Sequence, residues 1–466
     1  MTRERIDRWF VSTASSWLDP FWKRFNSSPV SVRLAKGVFW SLLGTVISRV
    51  FGVLSSIAVA RLLGMTIFGE FTTVQSTLGL FGNFAGLGLG ITATKYVAEL
   101  RELNRSRCGK VISLVLAIAL GGGLLSTGAL LLFASWFATH ALAAPHLASS
   151  LRWGSALVLF GTLQGVYSGA LIGLEAFRAV ARFNWTASLL GAPLMVAGAY
   201  LDGLEGAIIG TVMQGAISCG VGHVTLLGQA SGNGIHLSCI PDFNEWRILW
   251  RFSLPAFLSS VLAGPASWAC NTMLAHQPEG YQEIALLNAA GQWKNLLSFL
   301  PLTLISVLVP MFATLYHAGE RAEFHQLLRR QLLLNVCLCL LLATPLALLS
   351  PLILDCYGPG FRRGILVFII TVSGTAPVAA TNLMSRAMQA CGRAWMDLAL
   401  CSLWAAVILS ACFFLVPAYK ALGLAIAHVL GAAVLALCQG ILMRNVTVEE
   451  SVKSHSNSEV AASSLR

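Results

Sequence analysis

Two basic residues stand where a membrane-spanning helix tolerates them least. Arg49 interrupts the apolar run GVFWSLLGTVISRVFGVLSSIAVARLLG about twelve residues in, roughly 18 Å at 1.5 Å per residue. That depth is near the middle of a hydrocarbon layer about 30 Å thick. Lys294 falls about ten residues, roughly 15 Å, into a second such run. A cation at the membrane centre costs about 2.5–3.5 kcal/mol on insertion scales, so each side chain must face protein or a water-filled cavity. The chemistry that suits a fixed cation in such a cavity is the holding of an anion. Amides accompany both residues. Asn288, Gly291, Gln292, Asn295 and Ser298 share an arc of roughly 160° with Lys294 at 100° per residue. Ser41, Gly44, Thr45, Ser48, Gly52 and Ser55 form one face of the Arg49 helix, and Thr72, Gln75, Ser76, Gly79, Asn83, Gly86 and Gly90 one face of the next. Small residues on a helix face also serve close packing between membrane helices. The two cations tip the reading toward a cavity.

The elements that must position these residues follow from composition. Of 466 residues, 56% are hydrophobic and only 11% charged, with mean hydropathy +0.73, against roughly 25% charged in a soluble domain. The chain therefore reads as an all-α polytopic membrane protein with twelve transmembrane helices. Placing the N-terminus in the cytoplasm puts most of the 31 Lys and Arg on the cytoplasmic side, the distribution that sets orientation in membranes. The net charge of +11 thus reports topology, and no nucleic-acid-binding motif accompanies it. Eleven cysteines form no CxxC pair, and most sit in apolar runs as small hydrophobes. Neither a disulfide framework, a metal site nor a cofactor site is indicated. Residues 1–35 lack the apolar segment and small-residue cleavage site of a signal peptide. Their WFVSTASSWLDPFW stretch suits either a surface-lying amphipathic segment or a loose basic tail.

The chain repeats its pattern after about 210–220 residues, with short outer turns (GMTIFGEF; HQPEGYQE), basic cytoplasmic segments (ELRELNRSRCGK; GERAEFHQLLRRQ) and tight inner turns (GLEAFRAVARFN; QACGRAWMD) in corresponding places. Six spans per repeat start both halves on the same side, which predicts two six-helix lobes related by a pseudo-two-fold axis along the membrane normal, with a V-shaped central cavity between them. The expected organisation is a basic N-terminal segment (1–36), an N-lobe (37–228), a cytoplasmic linker (229–247), a C-lobe (248–443) and an unstructured cytoplasmic tail (444–466). Pro255, Pro265, Pro301, Pro310, Pro345 and Pro377 interrupt second-half spans, against Pro193 alone in the first half, which predicts kinks or hinges there.

The run SRVFGVLSSIAVARLLGMTIFGEFTTVQSTLGLFGNFAGLGLGITATKYVAEL resembles the opening of the polysaccharide transporter family, the oligosaccharide and O-antigen flippases of the multidrug/oligosaccharidyl-lipid/polysaccharide exporter superfamily. Ser48, Arg49 and Gly52 match its serine-arginine-glycine element. Ala60 to Gly64 match its Ala-Arg-Leu-Leu-Gly run, Phe68 and Gly69 its turn, and Gly86, Gly88, Gly90 and Lys95 its Gly-rich second helix. The resemblance implies translocation of an undecaprenyl-diphosphate-linked oligosaccharide repeat unit from the cytoplasmic to the outer leaflet of the bacterial inner membrane. It further implies a polysaccharide polymerase and chain-length proteins as partners. Lipid II flippases carry an arginine and an aspartate where this chain has Ser55 and Ser56, so an O-antigen, capsule or exopolysaccharide unit is the expected cargo.

On this reading the substrate-binding cavity is formed by Arg49, Arg61, Gln75, Asn83, Asn271, Asn288, Gln292, Lys294 and Asn295. A cation antiporter of the same superfamily would want a carboxylate within the spans, and Glu70, Glu283 and Asp397 all lie at helix ends. A membrane-embedded polymerase or ligase would need a large outer loop with catalytic residues. The longest, around Ser135 to Ser150 with His140 and His146, is short.

Overall fold

The computed structural model describes residues 29–237 and 262–463. No strand occurs among the described residues, as expected where hydrocarbon forces each segment to satisfy its own backbone. The first half builds α1 (Pro29–Gly86), α2 (Leu89–Leu103), α3 (Arg105–Trp136), α4 (Leu147–Gly154), α5 (Ala156–Gly173) and α6 (Phe177–Gly232). The second builds α7 (Ala263–Ala275), α8 (Gly280–His317), α9 (Arg321–Leu348), α10 (Ser350–Tyr357), α11 (Ile365–Ser373), α12 (Thr375–Ala390) and α13 (Ala394–Ser463). Seven stretches are long and apolar enough to cross a membrane. Much of their surface is bare hydrocarbon, with Leu132 81% and Phe414 74% exposed, a pattern suited to lipid and unfavourable in water.

Three of the long helices double back on themselves. In α6 the backbone leaves helical geometry at Asp202 and Gly203. Beyond the turn, Gly206 packs directly on Gly198 and Gly210 on the Leu194 carbonyl, positions where any side chain would collide. In α13 the break falls at Lys420 (φ 49°), and Gly423 returns against the Leu415 carbonyl. In α1 the break is Gly64, whose φ of 75° favours a residue without Cβ. Ser48 and Gln75, on either side of it, line one cavity, although a straight helix would hold them about 40 Å apart.

The prolines stand within or at the start of helices and do not end them. Helix α8 continues through Pro301, α9 contains Pro345 and α13 contains Pro417, while Pro377 sits in the first turn of α12, where a missing N–H leaves no bond unmade. The reversals fall instead at short polar or glycine turns. Pro255 lies outside the described residues, as does most of the 229–247 linker. The 444–466 segment also departs from expectation, since α13 runs on to Ser463. No Gly or Pro stands between Ile441 and Ser463 to stop it.

One hydrophobic cluster joins the halves. It brings Phe68, Phe71 and Leu78 of α1 together with Ala285 and Leu286 of α8 and Tyr357, Phe361 and Phe368 beyond. The Gly64 turn, the start of α8 and the end of α10 therefore share one end of the molecule. Several polar contacts join the halves from this end inward. The Tyr281 hydroxyl donates to the Leu142 carbonyl at 2.6 Å, Trp268 Nε1 to Thr77 Oγ1 at 3.0 Å, and Gly69 abuts the Tyr281 carbonyl so closely that no side chain fits. At the opposite end, polar pairs stay within a half, as with Arg101 and Glu175 (2.5 Å) and Gln389 and Asp397 (2.8 Å).

Candidate functional site

Two cavities open beside this junction. The larger, about 540 Å³, is enclosed mainly by α7, α8, α12 and both arms of α13, with Thr72, Thr73 and Ser76 of α1 closing one side. The smaller, about 200 Å³, lies between the two arms of α1, the arms of α6 and one face of α8. Thr72, Asn288 and Gln292 line both, so these residues form a shared wall. The i, i+4 spacing of Asn288 and Gln292 on α8 is what sets their amides side by side along it.

Of the nine residues expected to form the cavity, Asn271, Asn288, Gln292, Lys294 and Asn295 line the larger chamber, and Gln75 lines the smaller with Asn288 and Gln292. Three do not line either. Arg49 crosses to the second half, where Nη1 donates to the Asn295 carbonyl at 2.5 Å and the guanidinium lies 5.3 Å from the Phe299 ring centroid. Its planar fork and stacking face suit a carbonyl and an aromatic ring at once. Arg61 donates from Nε to the Cys356 carbonyl at 2.6 Å and from Nη2 to the Asp355 carbonyl at 3.2 Å, satisfying acceptors left over at the end of α10. Asn83 sits beside Gly264 of α7. The two cations of the sequence reading thus have different tasks: Lys294 faces the larger chamber, and Arg49 ties the halves together at its border.

The chamber has a second basic group that spacing did not single out. His428, in the second arm of α13, lines the same cavity as Lys294. Its Nδ1 lies 3.0 Å from the Leu424 carbonyl, so this nitrogen carries the proton and Nε2 is left as the free ring nitrogen. A lone histidine inside ALGLAIAHVLGAAV is an intramembrane ionisable residue and was legible as such. Gln214 and Ser188 of α6 and Asn382 of α12 are further polar lining groups that the sequence offered without a pattern to select them.

Among the described residues, no carboxylate lines either chamber. Glu70 is held by His146 at 2.9 Å. Glu283 pairs with Arg363 at 3.5 Å and accepts from the Ala421 N–H, and Asp397 accepts from Gln389. Among the described residues, no group of His, Cys, Asp and Glu is placed to hold a metal. The Lys294 carbonyl accepts from Ser298 Oγ, but its side-chain ammonium makes no ion pair or hydrogen bond among the described residues. A lysine without a protein counter-ion, among amides and hydroxyls, has the chemistry to hold an anion, which would in turn favour its charged form.

This architecture is shared with known transporters. It superposes with a TM-score of 0.67 on an inward-facing MATE family multidrug resistance transporter of the MOP superfamily, at 15% identity over 86% of this chain and 95% of the other. Against the lipid II flippase MurJ the TM-score is 0.69, at 16% identity over 87% of each chain. The fold is thus the one these transporters share, in a chain whose long apolar helices mark it as a membrane protein. Residues 34–316, more than half of the chain, match the model of one family, the polysaccharide biosynthesis proteins, and the chain belongs to that family. A curated relative, the EPS I polysaccharide export inner membrane protein EpsE of Ralstonia nicotianae, is 25% identical over 382 residues, covering 80% of this chain and 85% of its own.

Proposed function

We propose that the protein is a flippase that carries an undecaprenyl-diphosphate-linked oligosaccharide repeat unit from the cytoplasmic to the outer leaflet of the inner membrane by alternating access. The observation that carries this reading is Lys294, without a protein counter-ion, in a chamber that His428 also lines and where no carboxylate stands among the described residues. A diphosphate cannot cross hydrocarbon unaided. A hydrated chamber with fixed positive charge lets it pass while the polyprenyl tail stays in lipid. With the cytoplasm negative, outward movement of each negative charge is favoured by about 2.3 kcal/mol per 100 mV. Kinship with an exopolysaccharide export protein agrees with this cargo class.

The accompanying architecture is twelve spans in two six-helix lobes, with both termini cytoplasmic. The three helical reversals support the count, since each divides one long stretch into two spans.

The deciding experiment pairs two measurements on one deletion strain. Lipid-linked saccharide should accumulate in the cytoplasmic leaflet, with unchanged sensitivity to ethidium-like dyes and quaternary amines, because a positively charged chamber disfavours organic cations. Normal leaflet distribution together with increased cationic-drug sensitivity would replace the flippase by a cation antiporter.

A further inference from the structure

The smaller chamber differs from the larger in one respect that bears on cargo: among the described residues, no charged group lines it. Its polar surface is hydroxyls and carboxamides. Ser48 donates to the Asn184 carbonyl and Ser55 to the Phe51 carbonyl, which leaves both oxygens free to accept. Gln75 and Gln214 line the space, and neither amide has a hydrogen-bond partner among the described residues. Asn288 Oδ1, in the wall shared with the Lys294 chamber, is fully buried and likewise has no partner. Such an acceptor is costly unless a ligand or water supplies the donor. The floor is apolar, formed by Phe68, Phe71 and Met195. Neutral donors and acceptors over an apolar floor suit a sugar ring, which presents hydroxyls at its rim and C–H groups on its faces. A phosphate would find no cation there.

Building on the flippase reading above, we infer that the smaller chamber is the subsite for the sugar attached to the diphosphate, with the diphosphate itself in the Lys294 chamber next door. The reducing-end sugar and the diphosphate are joined by one glycosyl-phosphate bond, so their sites must be contiguous. Thr72, Asn288 and Gln292, which border both chambers, provide that continuity. A space of about 200 Å³ admits a single ring, so later sugars of the repeat unit would extend outside it. The chamber therefore selects for the first sugar and not for the whole repeat.

The test uses the full-length protein in lipid nanodiscs and two defined probes, undecaprenyl diphosphate and undecaprenyl-diphosphate-glucose. Wild type should bind the glucose-bearing lipid about tenfold tighter, equivalent to about 1.4 kcal/mol. Gln75→Leu, Gln214→Leu and the chamber-filling Ser188→Leu should each abolish that preference while the sugarless lipid still binds with wild-type affinity. Retained binding of the sugarless lipid also reports that a variant is folded. Because Gln214 packs against Gly191, Gln75→Leu is the deciding variant if Gln214→Leu misfolds. Lys294→Met should weaken both lipids equally. Equal losses for both lipids in Gln75→Leu, or no preference in wild type, would overturn the sugar subsite while leaving the flippase intact. Binding of neither lipid by wild type would overturn the flippase reading itself.

Discussion

Arg49, from the first arm of α1, donates a hydrogen bond to the backbone carbonyl of Asn295 in α8, and Asn295 is itself a lining residue of the Lys294 chamber. The two halves of the chain are therefore clasped at the edge of the space where the anion would sit. A hydrogen bond from a charged donor is worth about 1.5–3 kcal/mol, enough to bias a two-state equilibrium between arrangements of the halves.

Removing the clasp should loosen that equilibrium. Arg49→Ala should lower surface polysaccharide and broaden the distance distribution between spin labels at Arg178 and Glu320 in a cysteine-depleted background. Arg49→Lys should restore function only in part, since an ammonium cannot bond the carbonyl and cover the Phe299 ring with a planar face. Full complementation by Arg49→Ala, with an unchanged distance distribution, would remove Arg49 from the mechanism.

Charge in the larger chamber can be altered without touching the clasp. Lys294→Ala should reduce surface polysaccharide strongly while leaving the protein in the membrane at near-normal levels. His428→Glu should do the same by a different route. Its carboxylate would occupy the Lys294 ammonium and repel an incoming diphosphate, weakening undecaprenyl diphosphate binding by at least about tenfold. A His428→Glu protein that binds this lipid as tightly as wild type would show that the anion sits elsewhere.

Close backbone approach at the shared end gives a stability prediction. Gly69 lies against the Tyr281 carbonyl, whereas a Cβ at Gly82 would meet open space. Gly69→Ala should cost about 1–3 kcal/mol through overpacking and lower the melting temperature of the purified protein. Gly82→Ala should leave it unchanged or raise it slightly, since alanine is the better helix former. Equal melting temperatures for the two variants would contradict the tight junction.

Topology is open to reporter fusions along the chain. Fusions at His146, Asp202 and Asp355 should report the outside, and fusions at Arg105, Gly232 and Glu320 the cytoplasm. An outside signal from Gly232 would dismantle the two-lobe arrangement.

By itself, the sequence determined that the chain is an all-helical membrane protein, because apolar runs of about twenty residues suit spanning helices and not the short alternating strands of a barrel. It also singled out Lys294, Asn288, Gln292 and Asn295 as one helix face, since helical periodicity is local and fixed at 3.6 residues per turn. Tertiary structure decided what each polar side chain meets. Arg49 and Lys294 carry the same charge at similar depth, yet one bonds a carbonyl across the junction and the other faces a chamber. Arg61, within the motif, reaches the carbonyls that end α10, an acceptor site set 295 residues away. His428 comes to the Lys294 chamber only because α13 reverses at Lys420. Periodicity assigns a residue to a face of its own helix, whereas the partner of that face depends on packing between segments hundreds of residues apart, which no local spacing encodes.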